Sequence, residues 1–110
     1  MKGITNEMIG AASYSMILAV LREGDSYGYE IIHKMKEITE GKLNWQEASI
    51  YPFLKKLEKD EFITSYWKYN IGDKPRRYYS IKEKGVEKLY ESKKEWYKTQ
   101  EVLKSFWNFE

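Results

Sequence analysis

The sequence predicts a mainly α-helical fold with one small β-hairpin. Apolar residues recur every three or four positions in four separate stretches, which is the period of an amphipathic helix. Between the third and fourth stretches, two runs rich in β-branched and aromatic residues flank a segment of turn-forming residues. We therefore expect three helices, a hairpin and a fourth helix, in that order.

The composition favours one small globular domain without a disulfide or metal framework. The chain has 110 residues, of which 42% are hydrophobic and 33% charged, and its net charge of +2 does not by itself indicate a nucleic-acid binder. There is no cysteine and one histidine, His33, so we expect no thiolate or zinc site and no cofactor. The absence of a signal-peptide core and of a membrane-spanning run predicts a cytoplasmic protein.

The first two helices are expected from about Thr5 to Arg22 and from about Tyr27 to Ile38. The apolar stripe of the second helix includes Gly28. A glycine there indicates either the close approach of another helix or simply a glycine at a helix start. The positions sharing that stripe are Gly28, Ile31, Ile32, Met35 and Ile38.

Pro52 leaves two starting points open for the third helix. If the helix begins near Asn44, with Glu47 completing a capping box, Pro52 lies in its interior, where proline costs about 3 kcal/mol. If it begins with Ser49 as N-cap, Pro52 is its third residue and the missing N–H costs little. Either start places the proline ring opposite the apolar face formed by Ile50, Phe53, Leu54 and Leu57.

Positive charge gathers on the outward face of the third helix and at the tip of the hairpin. The strands of the hairpin are expected at residues 62–69 and 77–81. Trp67 is expected as a packed strand residue, with stacking on a nucleic-acid base as the less favoured alternative. Turning the helix by about 100° per residue separates its small and basic residues from its apolar face. The positions expected on the charged side of the molecule are Ala48, Pro52, Lys55, Lys56, Lys59, Lys74, Arg76 and Arg77.

The longest helix is expected from Lys82 to about Phe109, a length of about 40 Å. A row of large side chains recurs along this helix at alternating steps of three and four residues, which is the pattern of a seam between two helices. Two polar residues interrupt the row. A long seam after a compact unit indicates a second chain, so we predict a homodimer in which residues 82–110 form the dimerisation helix and residues 1–81 the other domain. The seam positions are Val86, Leu89, Lys93, Trp96, Gln100, Leu103 and Trp107.

This order of elements is typical of a winged helix-turn-helix. In that fold the third helix enters the major groove of DNA, and the hairpin, called the wing, contacts the neighbouring backbone. For the third helix alone, a simpler interpretation is that its lysines only solvate an amphipathic helix. The combination of basic helix, basic wing and dimer helix favours residues 1–81 as a DNA-binding domain.

Three ordered segments resemble signatures of the PadR family. Ala48-Ser-Ile-Tyr-Pro-Phe-Leu-Lys-Lys-Leu-Glu-Lys-Asp60 is similar to G-S-I-Y-P-x-L-x-x-L-E-x-x-G, and Gly72-Asp-Lys-Pro-Arg-Arg-Tyr-Tyr-Ser-Ile81 to G-x-x-R-K-Y-Y-x-I. The segment Gly24-Asp-Ser-Tyr-Gly-Tyr-Glu-Ile31, with the helix before it, resembles L-x-x-G-x-x-Y-G-Y-E-I. The chain departs from these patterns at Ala48, at residues 60–62, which lack a glycine before the wing, and at Lys82, where a capping threonine is common.

The resemblance implies a dimeric transcriptional repressor that binds a double-stranded DNA operator. It implies that Ser49 and Tyr51 lie near the DNA backbone and that Lys55, Arg76 and Arg77 contact DNA. The single short C-terminal helix is similar to the smaller PadR subgroup, which includes LmrR-type multidrug-sensing repressors.

Similarity to that subgroup also implies a site for flat aromatic ligands at the dimer seam. A ligand would stack between Trp96 and its symmetry mate, with Met8, Ile9 and Ala12 at the sides. Gln100 stands where the subgroup has an acidic residue, which makes a preference for cationic ligands doubtful. Packing of Trp96 in an ordinary interface is an alternative of equal weight.

Two other functional classes stay open at this point. A winged helix that lost DNA binding would act as a protein-interaction adaptor, because a fold does not fix its use. An enzyme has little support: Glu58, Asp60 and Glu61 cluster without a base, a metal set or a phosphate-binding loop.

Overall fold

The computed structural model describes residues 6–109, with side chains from residue 10 onward. The predicted mainly helical fold is confirmed, whereas the predicted helix start at Thr5 lies outside the described residues. The elements in chain order are α1 (Asn6–Arg22), β1 (Ser26–Tyr27), α2 (Gly28–Ile38), a 3₁₀ turn (Glu47–Ser49), α3 (Tyr51–Lys59), β2 (Ile63–Lys68), β3 (Arg76–Ile81) and α4 (Glu83–Lys104).

The sheet has three antiparallel strands rather than the two of a hairpin. The predicted strands β2 and β3 pair from Ile63 opposite Ile81 to Lys68 opposite Arg76. The short β1 joins the free edge of β3 by pairing Ser26 with Tyr79, so the strand order is β1-β3-β2. This topology is that of a winged helix-turn-helix, with β2 and β3 as the wing.

The core lies where α1, α2, α3 and the sheet meet. It confirms the apolar faces predicted for α2 and α3, with one exception. Ile38 was expected on the buried face of α2 but is 72% exposed, because α2 ends at that residue and the chain turns away. The buried core residues include Ile17, Leu18, Leu21, Ile31, Met35, Ile50, Leu54, Leu57, Ile63 and Tyr79.

Pro52 lies in the first turn of α3, where it breaks no helical hydrogen bond. Ile50 is the N-cap and Tyr51 the first helical residue, so Pro52 is the second. The predicted start at Asn44 is therefore wrong, and the alternative N-cap, Ser49, is one residue too early. The N–H groups in the first turn of a helix have no acceptor within that helix, so the missing N–H of the proline costs no bond of α3. The preceding 3₁₀ turn has its own hydrogen bonds, such as that from Ile50 N–H to the carbonyl of Glu47 at 3.2 Å.

The C-terminus of α3 shows how the chain turns without the glycine that the family signature has there. Glu61 adopts a φ of 63°, and the N–H groups of Glu61 and Phe62 donate to the carbonyls of Glu58 and Leu57 at 3.0 Å each. This pattern is a Schellman motif, in which glycine is preferred because a Cβ disfavours positive φ.

Replacing Glu61 by glycine is expected to raise the free energy of unfolding by about 1 kcal/mol, because it relieves the strain of positive φ. Thermal unfolding followed by circular dichroism measures the change. Glu40→Gly should give a similar gain, since Glu40 has a φ of 53° at the end of α2. Glu87→Gly, inside α4, should instead lose about 1 kcal/mol. Equal effects at positions 61 and 87 would contradict the explanation.

Helix α4 starts against the base of the wing and extends away from it. It ends at Lys104, five residues before the predicted Phe109, so its 22 residues span about 33 Å rather than 40 Å. Ser15 and Ser92 form a hydrogen bond between α1 and α4. Beyond Ser92 the helix is exposed along its length.

Candidate nucleic-acid interface

The outward face of α3 is exposed and basic, as predicted. Pro52, Lys55 and Lys59 are exposed, whereas Ile50, Leu54 and Leu57 on the opposite face are buried. Within the described residues, Lys55 and Lys59 form no ion pair, so their ammonium groups remain available to a ligand. Ser49 is also exposed, in the turn just before α3.

The wing tip adds cations beside this helix. Lys74 is exposed in the turn between β2 and β3, where Gly72 takes a φ of 81°. The guanidinium of Arg76 lies 4.6 Å from the centre of the Tyr27 ring, and its Nε is 3.8 Å from Asp73. An exposed pair at that distance holds the side chain weakly, so Arg76 can turn toward an anion.

A groove of about 400 Å³ joins the N-terminus of α3 to the wing. Lys74 and Arg76 line it on the wing side and Tyr51 on the helix side, so these predicted contact residues share one surface. Arg77, a further predicted contact residue, also lines the groove, and Glu47 contributes a negative charge. The residues lining the groove are Tyr27, Gly28, Glu47, Tyr51, Trp67, Lys74, Pro75, Arg76, Arg77 and Tyr79.

Tyr51 is fixed in this groove by two neighbours. Its hydroxyl donates to Glu47 Oε1 at 3.0 Å, and a Cβ placed on Gly28 would lie only 2.8 Å from the Tyr51 oxygen. Gly28, which is the first residue of α2, therefore makes room for the side chain of the tyrosine that begins α3 rather than for the backbone of another helix. Burial and, next, the bond to Glu47 raise the pKa of Tyr51 to about 12, so the phenol stays a neutral hydrogen-bond donor.

Two of the predicted cations form contacts with other side chains of the protein. Lys56 turns away from Lys55 toward α4 and forms an ion pair with Asp60 at 3.0 Å. Arg77 donates to Ser65 Oγ from Nε at 3.1 Å and from Nη2 at 2.9 Å, and Nη2 is 3.4 Å from Glu58 Oε1.

Trp67 lies on the surface of the wing. The prediction that it is a packed strand residue is wrong, because it is 55% exposed. Its ring is 6.0 Å from the guanidinium of Arg77, opposite which it lies in the β2–β3 register. An exposed tryptophan beside a cationic groove gives this surface an apolar plane as well as charge.

The predicted ligand residues are only partly brought together. Trp96 is 44% exposed and lines a groove of about 610 Å³ between α1, α4 and the end of α3. Ala12 and Gln100 do not line this groove, and the side chains of Met8 and Ile9 lie outside the described residues. Other side chains form its walls: Ala11, Tyr14, Ser15, Leu18, Lys56, Leu57, Asp60, Phe62, Lys88, Ser92, Glu95 and Thr99.

The predicted dimer seam divides into two parts. Val86 and Leu89 are half-buried within the chain itself, whereas Trp96, Leu103 and Trp107 are exposed. Trp107 follows the end of α4 rather than lying within it.

Over residues 6–109, no helix is long and apolar enough to cross a membrane. Among the side chains of residues 10–109, no group of three or more His, Asp or Glu is arranged to hold a metal ion.

Comparison with known proteins shows that the chain is similar to transcriptional regulators. The chain is similar to a transcriptional regulator from Clostridium thermocellum, with 31% identity, coverage of 96% of this chain and 99% of that one, and a TM-score of 0.86. A PadR-like transcriptional regulator from Bacillus cereus is 28% identical over 96% of this chain and all of its own, with a TM-score of 0.79. Bacillus subtilis PadR, solved in complex with operator DNA, is 29% identical over 72% of this chain and 45% of its own, with a TM-score of 0.64.

A family model extends this similarity to the sequence itself. The model of the transcriptional regulator PadR-like family matches residues 17–91, from the core of α1 through both wing strands into α4. This range contains all three segments that resemble the family signatures. The family consists of transcriptional regulators rather than enzymes. The chain therefore belongs to the PadR-like family of transcriptional regulators.

Proposed function

We propose that this protein is a sequence-specific DNA-binding transcriptional repressor that acts as a homodimer. In this proposal α3 enters the major groove, and the wing tip contacts the adjacent phosphates. The observation that carries it is the single surface formed by the N-terminus of α3 and the basic wing, joined by the groove that Tyr51, Lys74 and Arg76 line. The related Bacillus subtilis PadR, solved in complex with operator DNA, supports operator DNA as the partner.

Charge supports DNA as the ligand of this surface. Lys55, Lys59 and Lys74 form no ion pair among the described residues, so they can neutralise phosphates without breaking an internal contact. Each neutralised phosphate releases counterions, which makes the affinity depend on salt. The uncharged side chains Ser49 and Tyr51 at the start of α3 can add hydrogen bonds to the backbone.

A salt titration tests the proposal. Fluorescence anisotropy with a fragment of the protein's own promoter region should give nanomolar binding that weakens steeply between 50 and 200 mM salt, by about a thousandfold or more for six or more neutralised phosphates. A scrambled fragment of equal length controls for sequence specificity. A chain that is dimeric by light scattering but binds no promoter fragment would instead be a protein-interaction adaptor.

The homodimer rests on the free half of α4. Trp96 and Leu103 on α4, and Trp107 just after it, leave a large exposed apolar area, whereas the hydrogen bonds between α4 and α1 involve Tyr90 and Ser92. A second copy of the chain would cover these side chains, and two DNA-binding units would then face two half-sites of an operator.

We further propose that a flat aromatic ligand binds beside Trp96 and reduces the affinity for DNA. The groove next to Trp96 also contains Tyr14 and Phe62, and such aromatic walls suit an aromatic ligand. Titration with flat aromatic dyes should quench tryptophan fluorescence in the wild type. The quenching should be lost in Trp96→Ala but kept in Trp67→Ala, because Trp67 lies on the wing. Equal quenching in the wild type and in Trp96→Ala would place the dye elsewhere.

A further inference from the structure

A network of three side chains connects the wing to the back of α3. Ser65 on β2 donates from Oγ to Glu58 Oε2 at 2.6 Å and accepts from Arg77 at 2.9 and 3.1 Å. Arg77 Nη2 also lies 3.4 Å from the other oxygen of Glu58. Both oxygens of one carboxylate on α3 are therefore used by side chains of the two wing strands.

The guanidinium of Arg77 also lies near two aromatic rings. Its central carbon lies 6.0 Å from the Trp67 ring centre and 5.9 Å from that of Tyr79. Glu58 is only about one-third exposed, at 33%, so its attraction to Arg77 is less screened than that of a fully exposed pair. Turning Arg77 toward DNA would leave Glu58 without its cation and Ser65 without its donor.

The other cations proposed to contact DNA lack such a hydrogen-bond network, although Arg76 also lies over a ring, that of Tyr27, at 4.6 Å. Arg76 has one weak ion pair, at 3.8 Å, and Lys55 has none among the described residues. The two arginines are adjacent in sequence but differ in their contacts, because Arg77 is hydrogen-bonded within the protein and Arg76 is only weakly paired. A residue that already uses its charge within the protein adds little counterion release when DNA binds.

We propose that Arg77 is a positioning residue that, with Glu58 and Ser65, fixes the angle between the wing and the recognition helix α3. Arg76 and the lysines then contact the phosphates. This inference rests on the proposed DNA-binding function, and it assigns Glu58 and Ser65 a role that residue type and spacing do not indicate. Because a rigid wing reaches the backbone only at one angle, loosening the network weakens binding without removing a phosphate contact.

The salt dependence of operator binding separates the two roles. Arg76→Ala should lower the slope of log K against log salt by about 1.8 per dimer, one phosphate for each protomer. Arg77→Ala should weaken binding about tenfold at each salt concentration and leave the slope unchanged. A slope that falls equally in both variants would make Arg77 a phosphate contact and overturn the proposal.

The direction in which Glu58→Gln changes the affinity for operator DNA provides a second test. If Arg77 contacted phosphate, Glu58→Gln would release it and remove a negative charge, so operator binding would tighten. If the network positions the wing, Glu58→Gln should weaken binding about as much as Arg77→Ala does. Ser65→Ala should also weaken it, and Ser65→Thr, which keeps the hydroxyl, should restore it. Tighter binding by Glu58→Gln would refute the inference.

A double-mutant cycle without DNA tests the network itself. The decreases in melting temperature caused by Glu58→Gln and by Arg77→Ala should not add up in the double variant. The second substitution removes an interaction that the first has already broken. If the wild type bound no operator, the proposed function would fail, but this cycle would still decide whether the network couples the wing to α3. Additive losses would reject the network even in a protein that binds its operator.

Discussion

Replacing Gly85 by alanine is expected to lower the free energy of unfolding by about 2–4 kcal/mol, although alanine is the better helix former. Gly85 is buried in the first turn of α4, and a Cβ there would lie 2.1 Å from the carbonyl oxygen of Phe62 and 2.8 Å from Ile81 Cγ1. The nearest atom belongs to the backbone, so no rotamer change can relieve the clash.

The clash would also break a hydrogen bond that joins α4 to the wing. The same carbonyl of Phe62 accepts from the N–H of Lys82 at 2.9 Å, just before α4 begins. Moving α4 away to admit a methyl group lengthens this bond, at a cost of about 1 kcal/mol. The position at which α4 starts is thus fixed by its contact with Phe62, which lies between α3 and β2.

Thermal unfolding followed at 222 nm measures the loss, and a decrease in melting temperature of roughly 10–20 °C corresponds to it. Glu87→Ala is the matched control, because it places alanine in the same helix at an exposed position and should change stability by less than about 0.5 kcal/mol. A Gly85→Ala protein as stable as this control would mean that α4 is not packed against Phe62 as described.

The local pattern predicted the helices and their faces because burial repeats with the helical period. Ile50, Leu54 and Leu57 are buried and Lys55 and Lys59 exposed, as spacing alone required. Spacing could not predict β1, since two residues are too few for an alternating pattern and the strand exists only through pairing with β3.

The directions of individual side chains were less predictable, because they depend on distant partners. Nothing near Arg77 in sequence indicates Glu58, which lies 19 residues away and accepts its hydrogen bond at 3.4 Å. A local signal did exist for Lys56: Asp60 follows it by four residues, the spacing of a helical ion pair, and the structure contains that pair. For Trp67, strand propensity indicated the element correctly but not which face of the sheet would be solvated.

Removing three of the available cations, in the variant Lys55→Ala, Lys59→Ala, Arg76→Ala, is expected to weaken operator binding by about 10³–10⁵-fold at 0.1 M salt. A dimer would lose up to six phosphate contacts, and the slope of log K against log salt should fall by about 5. Stability should change little, because Lys55 and Lys59 form no ion pair in the described part of the chain and Arg76 only a weak one at 3.8 Å.

The matched control removes the same charge from surfaces away from the proposed interface. Lys36, Lys42 and Lys98 are exposed on α2, in the following loop and on α4, and the ion pairs among residues 10–109 include none of them. Their triple alanine variant has the same net charge as the interface variant, so it should reduce affinity only through the weaker overall field, by about tenfold or less. Anisotropy titrations at several salt concentrations compare the two variants directly. Equal losses of affinity and slope would show that net charge, rather than the surface formed by α3 and the wing, attracts the DNA.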